Sequence, residues 1–314
     1  ANLEFDYVFL AVKSNDHRWL TEFIKPYLKA DGVLVPVQNG FNDDSIASIL
    51  GRNRVVGCAL ELSAEIFTPG LVKRNTTHQT TWFGIGELDG FATPRLREIE
   101  AIMRNIGKVE ATGNIYSTKW TKLVANTMTM GPFGLLGLGN SEAANLPGMF
   151  EISVALGKES VAVGNALGYR LQPIFGLRAD EFFGTDDENL VTAMNTLLGH
   201  ITHGRTAPIH DHIKGRKSEM EFISVVVSKK GHELGIPTPG NDAVVEIDRQ
   251  INTGQQYLIT PTAALLRHPE LFDWLLSDGT LEAPKEKATL ARELNSLLTQ
   301  SSVLPAPPKQ RLRR

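Results

Sequence analysis

The sequence has 314 residues, 42% hydrophobic and 21% charged, the balance of an ordinary globular protein long enough for two domains. A net charge of −3 excludes a global basic field that would recruit nucleic acid or anionic lipid, and no apolar run is long enough to span a bilayer. The single cysteine, Cys58, excludes an intramolecular disulfide and suits a reducing, cytoplasmic compartment; no charged-then-apolar opening segment reads as a signal peptide.

The predicted elements begin with strands alternating with helices. Asp6-Tyr7-Val8-Phe9-Leu10-Ala11-Val12 is a largely apolar run, as expected of a strand covered on both faces. Lys13 follows at its carboxyl end, where it either meets a cofactor phosphate or caps the strand. A helix with Leu20, Phe23, Ile24 and Leu28 comes next, then a second strand from Gly32 to Val37, closing on Gln38-Asn39-Gly40. Open α/β sheets bind ligands at the carboxyl ends of strands. There Gly40 leaves room for close backbone approach, and the Asn39 carboxamide offers both a donor and an acceptor. A plain turn competes, because Asn-Gly is a common turn dipeptide.

A short helix over 43–50 and a third strand over 54–59 are expected next. Strands near 71–75 and 80–85 are spaced as a hairpin-like return, followed by a helix from Pro94 to Met103 and a closing strand over 108–112. Gly84-Ile85-Gly86-Glu87-Leu88-Asp89-Gly90 invites a dinucleotide-binding reading. However, Glu87 and Asp89 would stand where phosphate charge must go, and this is not the first βα turn, so a glycine-punctuated turn is expected. Asn75-Thr76-Thr77 matches a glycosylation acceptor by chance.

From Asn114 the pattern turns helical, with helices expected over 114–130, 148–168, 187–199, 215–234 and 240–252. Gly164, Ala166 and Gly168 permit close packing of the second. Gly131-Pro132-Phe133-Gly134 reads as a break after the first. His200, His203, His210 and His212 are spaced for zinc, yet no cysteine lies nearby, and Gly204 and Pro208 indicate a loop; exposed loop histidines and no metal are expected. Leu281 to Leu298 is an amphipathic segment before a proline-rich, basic, solvated tail. The domains are expected at 1–113 and 114–260, with an extension over 261–314.

Lys122 and Asn126 stand out in Trp120-Thr121-Lys122-Leu123-Val124-Ala125-Asn126. Four residues apart on a helix, they share one face, and the residues between them are apolar. An ammonium and a carboxamide aimed into one cleft suit the holding and protonation of a carbonyl oxygen. The competing reading is a lysine that snorkels from a helix edge to water. Glu219, in Gly215-Arg216-Lys217-Ser218-Glu219, would on its own read as solvated helix surface, as does its neighbour Glu221.

Together these segments resemble the ketopantoate reductase (2-dehydropantoate 2-reductase) family. Val8-Phe9-Leu10-Ala11-Val12-Lys13-Ser14, Gln38-Asn39-Gly40-Phe41, the Lys122–Asn126 segment and Gly215-Arg216-Lys217-Ser218-Glu219 occur in the family's order. Gly235-Ile236-Pro237-Thr238-Pro239-Gly240-Asn241 then resembles its closing signature. The resemblance implies an α/β Rossmann-type domain followed by an all-α domain of the 6-phosphogluconate dehydrogenase C-terminal type. It implies NADPH-dependent reduction of a small-molecule 2-oxo acid, as in pantothenate biosynthesis, and a possible homodimer. Lys122 would be the general acid. Asn126, Glu219 and Asn39 would bind substrate, and Lys13, Asn39 and Gly40 would lie at the cofactor. Glu219 would also keep Lys122 charged if their helices meet.

The sequence departs from the family pattern in three places. Met130 stands where the family carries a second asparagine, and Ala207-Pro208 stand where a Ser-Met pair precedes the aspartate, here Asp211. Both departures fall on the substrate side. The Gly-x-Gly-x-x-Gly loop after a first strand does not occur in these 314 residues. A start missing from the numbered chain is the expected reason; taken literally, the chain should bind NADPH poorly. The alternative is a non-catalytic binding or oligomerisation protein on the same scaffold.

Overall fold

Val33, Leu34 and Val35 have no exposed surface, yet neighbouring residues of a strand point to opposite faces, so both faces of this strand must be covered. The structure, a computed structural model, describes residues 3–174, 187–200 and 204–253, and shows what covers them. Strand β1 (Phe5–Leu10) lies parallel to β2 (Leu28–Pro36), and a single parallel bridge from Leu34 to Val55 joins β2 to the approach of β3 (Val56–Glu61). Helices α1 (His17–Ile24) and α2 (Asp43–Leu50) connect these strands. Leu34 packs with Leu10, Ile46 and Leu50 on one face. On the other, Val33 and Val35 pack with Cys58, and with Leu96, Ile99 and Met103 of α3 (Pro94–Met103). Thr93 starts α3 by accepting from the Leu96 amide, and Pro94 occupies its first turn, where a missing N–H costs nothing.

Between β3 and α3 the pairing departs from the expected hairpin. The segment Leu71–Arg74 (β5) returns against Ala64–Thr68 (β4) and not against the later strand. Strand β6 (Trp82–Glu87) instead runs antiparallel to β3 in unbroken register, from Val56 opposite Glu87 to Glu61 opposite Trp82. Strand β7 (Lys108–Ala111) then closes parallel to β6. The sheet is therefore mixed. Gly84 and Gly86 belong to buried β6, not to a turn: a Cβ on Gly84 would meet the Trp82 ring at 2.6 Å, and one on Gly86 the Thr112 carbonyl at 2.6 Å.

The helical half is built around α4 (Ile115–Gly134), a 20-residue helix started by the Asn114 side chain, which accepts from Ser117 N at 3.1 Å. Nearly every residue of α4 is buried, which is why its sequence shows no polar stripe. The helix runs through Pro132 instead of breaking at Gly131. Helix α6 (Met149–Ala166) crosses it closely: a Cβ on Gly164 would stand 2.1 Å from Trp120 Nε1, and that nitrogen donates to Ser160 O at 2.9 Å. Around this pair lie α5 (Asn140–Ala144), α7 (Asp187–His200), α8 (Ala207–Ile213), a 3-10 turn (Glu219–Phe222), α9 (Ser224–Leu234) and α10 (Pro239–Asn252). The single helix expected over 215–234 is thus a turn and a shorter helix.

No helix among the described residues is long and apolar enough to cross a membrane. The amphipathic segment 281–298, the basic tail and His203 lie outside the described residues.

Candidate active site

The carboxyl ends of β1, β2 and β3 open on one cleft, lined by Lys13 and Asn39, each three residues past its strand, and by Glu61, the last residue of β3. The cleft has a volume of about 730 Å³ and is also lined by Lys122, Asn126 and Glu219. Ligand sites form at strand carboxyl ends because the connecting loops diverge there and leave a crevice.

Lys122 and Asn126 are one turn apart on buried α4, and the Lys122 ammonium donates to Asn126 Oδ1 at 2.7 Å. It also donates to Glu61 Oε2 at 2.7 Å, an ion pair whose side chains are largely buried. With its oxygen taken by the lysine, Asn126 turns its amide nitrogen toward Asn39 Oδ1, at 3.4 Å. Asn39 is left with its own amide hydrogens to offer. The snorkelling reading of Lys122 is therefore incorrect: 7% of the residue is exposed, and the charge is met by a carboxylate within the cleft.

Glu219 is buried rather than solvated, and it does not supply the Lys122 ion pair. Its Oε2 accepts from Lys13 Nζ at 2.8 Å and its Oε1 from the Ser14 amide at 2.7 Å. Lys13 donates also to Asp211 Oδ2 at 2.9 Å, so one ammonium bridges two buried carboxylates. Burial opposes the charge on Lys13, but Glu219 and Asp211 outweigh it and hold its pKa above the usual lysine range. For Asp211 burial prevails over Lys13, and its pKa is raised. Glu221, by contrast, is exposed and pairs with Lys217, as expected of surface.

The turn that carries Glu219 is itself anchored. Ser218 Oγ donates to Asp248 Oδ1 and Oδ2 at 2.7 and 2.8 Å, and Asn252 Nδ2 adds a bond to Asp248 Oδ2 at 2.8 Å. Asn15 Nδ2 ties the loop after β1 to Lys217 O and Ser218 O at 3.0 and 3.1 Å. Gly40 has φ of 87°, and a Cβ there would lie 2.5 Å from Phe222 O, so glycine lets the end of β2 seat against this turn.

Histidines 210 and 212 are not exposed loop residues. Both lie on α8, with their side chains buried, and His212 Nε2 pairs with Asp248 Oδ1 at 3.0 Å. Burial, reinforced by Lys13, pushes His210 down to about 4, so it is neutral near pH 7. No group of three or more metal-binding side chains occurs among the described residues. Met130 and Ala207 line the cleft, whereas Pro208 packs against Gly134.

The first 87 residues match the ketopantoate reductase PanE/ApbA family, and residues 114–252 match that family's C-terminal domain. The chain belongs to the ketopantoate reductase family. It is thus a member of a family of oxidoreductases. It is 25% identical over 252 residues to a 2-dehydropantoate 2-reductase of Archaeoglobus fulgidus, covering 79% of this chain and 77% of that one. Among solved structures, a family member from Ralstonia eutropha superposes with a TM-score of 0.66 at 22% identity, over 81% of this chain and 78% of the other. D-mandelate dehydrogenase in ternary complex with NADH and anilino(oxo)acetate superposes with a TM-score of 0.67 at 16% identity, over 80% and 77%. These likenesses establish a Rossmann-like domain followed by a helical domain.

Glu61 was missed as a site residue, although the signal that marked Lys13 and Asn39 was present: a polar residue closing an apolar strand. Asp248 and His210 had no such signal, because their partners are distant in sequence.

Proposed function

We propose that this protein reduces a 2-oxo acid, of 2-dehydropantoate type, to the 2-hydroxy acid with NADPH, Lys122 serving as general acid. The observation that carries this reading is the partly buried chain Glu61–Lys122–Asn126–Asn39 facing the cleft at the strand ends. Lys13, Asn39 and Gly40 would hold the nicotinamide end of the cofactor, since they occupy the carboxyl ends of β1 and β2. The positive φ and close backbone packing of Gly40 fit a wall that presents main chain instead of side chain. When bound, the cofactor supplies a hydride to the carbonyl carbon.

Hydride addition builds negative charge on the carbonyl oxygen, and an ammonium at hydrogen-bond distance stabilises that charge and then transfers a proton to it. The Glu61 carboxylate favours the charged form of Lys122 before transfer. Asn126 fixes the ammonium's direction, and the free amide hydrogens of Asn39 are suited to the substrate carboxylate. Glu219 would meet a polar group further along the substrate, on the side where Lys13 and Ser14 hold its carboxylate still.

The test is oxidation of NADPH, compared with NADH, against a panel of 2-oxo acids. Lys122→Ala should lower kcat by about 10²–10⁴-fold, the usual worth of a positioned acid. Full turnover by that variant would sink the assignment. Calorimetry showing no NADPH binding would favour a non-catalytic role on the same scaffold.

A further inference from the structure

The same cleft holds a second cluster that the reduction as described does not use. Thr206, 6% exposed, and His210, 8% exposed, both line it. Thr206 Oγ1 and His210 Nε2 are buried and have no hydrogen-bond partner, and neither has the nearby acceptor Glu65 Oε2. Buried polar atoms are nearly always paired, so two unmet donors beside one cavity mark a place where a ligand completes the set. Glu65 does not satisfy the histidine: its Oε2 lies 3.7 Å from Nε2, outside hydrogen-bond range.

The charge around these atoms is positive. Arg205 and Lys214 line the cleft, and Lys73 approaches from β5. Glu65 is the carboxylate among them, paired with Lys73 at 3.1 Å and approached by Arg205 at 3.8 Å. Lys214 lies 4.9 Å from the centroid of the Phe67 ring, Arg205 lies 5.8 Å from it, and the His210 ring meets its edge at 5.4 Å. One aromatic ring thus gathers two cations and a histidine, and the one carboxylate, Glu65, faces Lys73 and Arg205.

We propose that the substrate is a 2-oxo acid carrying a second carboxylate, and that Arg205, Lys214, Thr206 and His210 bind that distal group. This rests on the reductase reading of the Lys122 end. The neutral imidazole donates from Nε2, the threonine hydroxyl donates from Oγ1, and the two cations supply charge-assisted hydrogen bonds of the stronger kind. A substrate with an aliphatic tail would leave these donors buried and unmet, and one with a hydroxylated tail would offer a neutral acceptor in place of the charge that two cations call for. Selectivity follows from that, because a site built to bond a polar group rejects analogues lacking it.

The experiment measures kcat/KM on the full chain for 2-oxoglutarate and 2-oxoadipate against 2-oxo monocarboxylic acids of equal chain length, with 2-dehydropantoate included. The dicarboxylic acids should be preferred by about tenfold or more, and Arg205→Gln or Lys214→Gln should reduce that ratio by about tenfold, with Arg205→Lys retaining most of it. Equal kcat/KM for both classes, or variants that leave the ratio unchanged, would overturn the proposal. So would inhibition by inorganic phosphate without any preference for the dicarboxylic substrates. Calorimetric binding of 2-oxoglutarate to the wild type and to Arg205→Gln separates this inference from the reductase reading. If no 2-oxo acid is turned over, the reductase reading fails; Arg205-dependent binding would still uphold the subsite, and its absence would end it.

Discussion

Lys13 stands between two buried carboxylates, Asp211 and Glu219, and pairs with both. Both carboxylate side chains are at most 5% exposed, while the lysine is 34% exposed. Lys13→Met would leave two buried carboxylates facing each other without a counter-charge. The expected cost is about 3 kcal/mol, the low end for a broken buried pair, since solvent reaches the lysine. Urea unfolding measures it, and Glu219→Gln in the same chain should recover part of the loss. At this scale much of the site was legible. Lys122 and Asn126 sit four apart on a helix, and Lys13 and Asn39 each follow an apolar strand, so local pattern singled them out, and the family resemblance gave them roles. Which carboxylate serves which lysine was not legible. Glu61 and Glu219 lie on opposite sides of Lys122 in sequence, and only the packing of β3 and of the 3-10 turn against the strand ends decides between them.

Among the helices, α10 shows how an element end creates a titrating group. Its first amides point at Glu159 of α6, which accepts from Gly240 N at 2.7 Å, Asn241 N at 2.9 Å and Asn241 Nδ2 at 2.8 Å. Helix N-termini favour anions. Burial nevertheless outweighs these donors and raises Glu159 to about 7. A carboxyl raised on folding keeps its proton where the unfolded chain has lost it. The contribution of Glu159 to stability is therefore full below the unfolded value and is lost as pH rises from about 4.5 to about 7, then levels. The difference in unfolding midpoint between wild type and Glu159→Gln should change across that interval and be flat above it. A constant difference from pH 4.5 to 7 would refute the raised pKa. The elements themselves were readable where apolar periodicity was clear, as in α3. Helix α8 escaped because it is only seven residues long, although Thr206 before it and Pro208 in its first turn are start signals. Strand β4 escaped because its exposed Ile66 and Phe67 do not alternate with polar residues as a half-buried strand would.

The two halves of the molecule are joined through α4, whose first turn belongs to the sheet. Ile115 packs with Leu34, Ile46 and Val55, and a Cβ on Gly57 would stand 2.6 Å from its side chain. One turn on, Lys119 pairs with Asp43 of α2 at 2.5 Å, both side chains almost wholly buried. The change of pattern near residue 113 was legible as a boundary, since a strand-helix alternation stops there. That α4 would serve both cores was not, because an all-buried helix carries no stripe to say which way it faces. Lys119→Met should cost about 3–5 kcal/mol by stranding Asp43 in the interface. Calorimetry should show both halves of the wild type melting in one transition, and the variant's transition displaced to lower temperature as a unit. A variant in which only one half shifts would disprove the shared core.

Cys58, with no exposed surface and its thiol pushed up to about 12 by burial, lies on β3 three residues before Glu61. It is the chain's only cysteine. A thiol-reactive dye therefore has a single target, reachable only when that strand comes away from its neighbours. The labelling rate is a clock for those openings. A small acid seated against Glu61 and Lys122 favours the closed form, so occupancy of the cleft can be read as a slowed reaction, with neither turnover nor chromophore required.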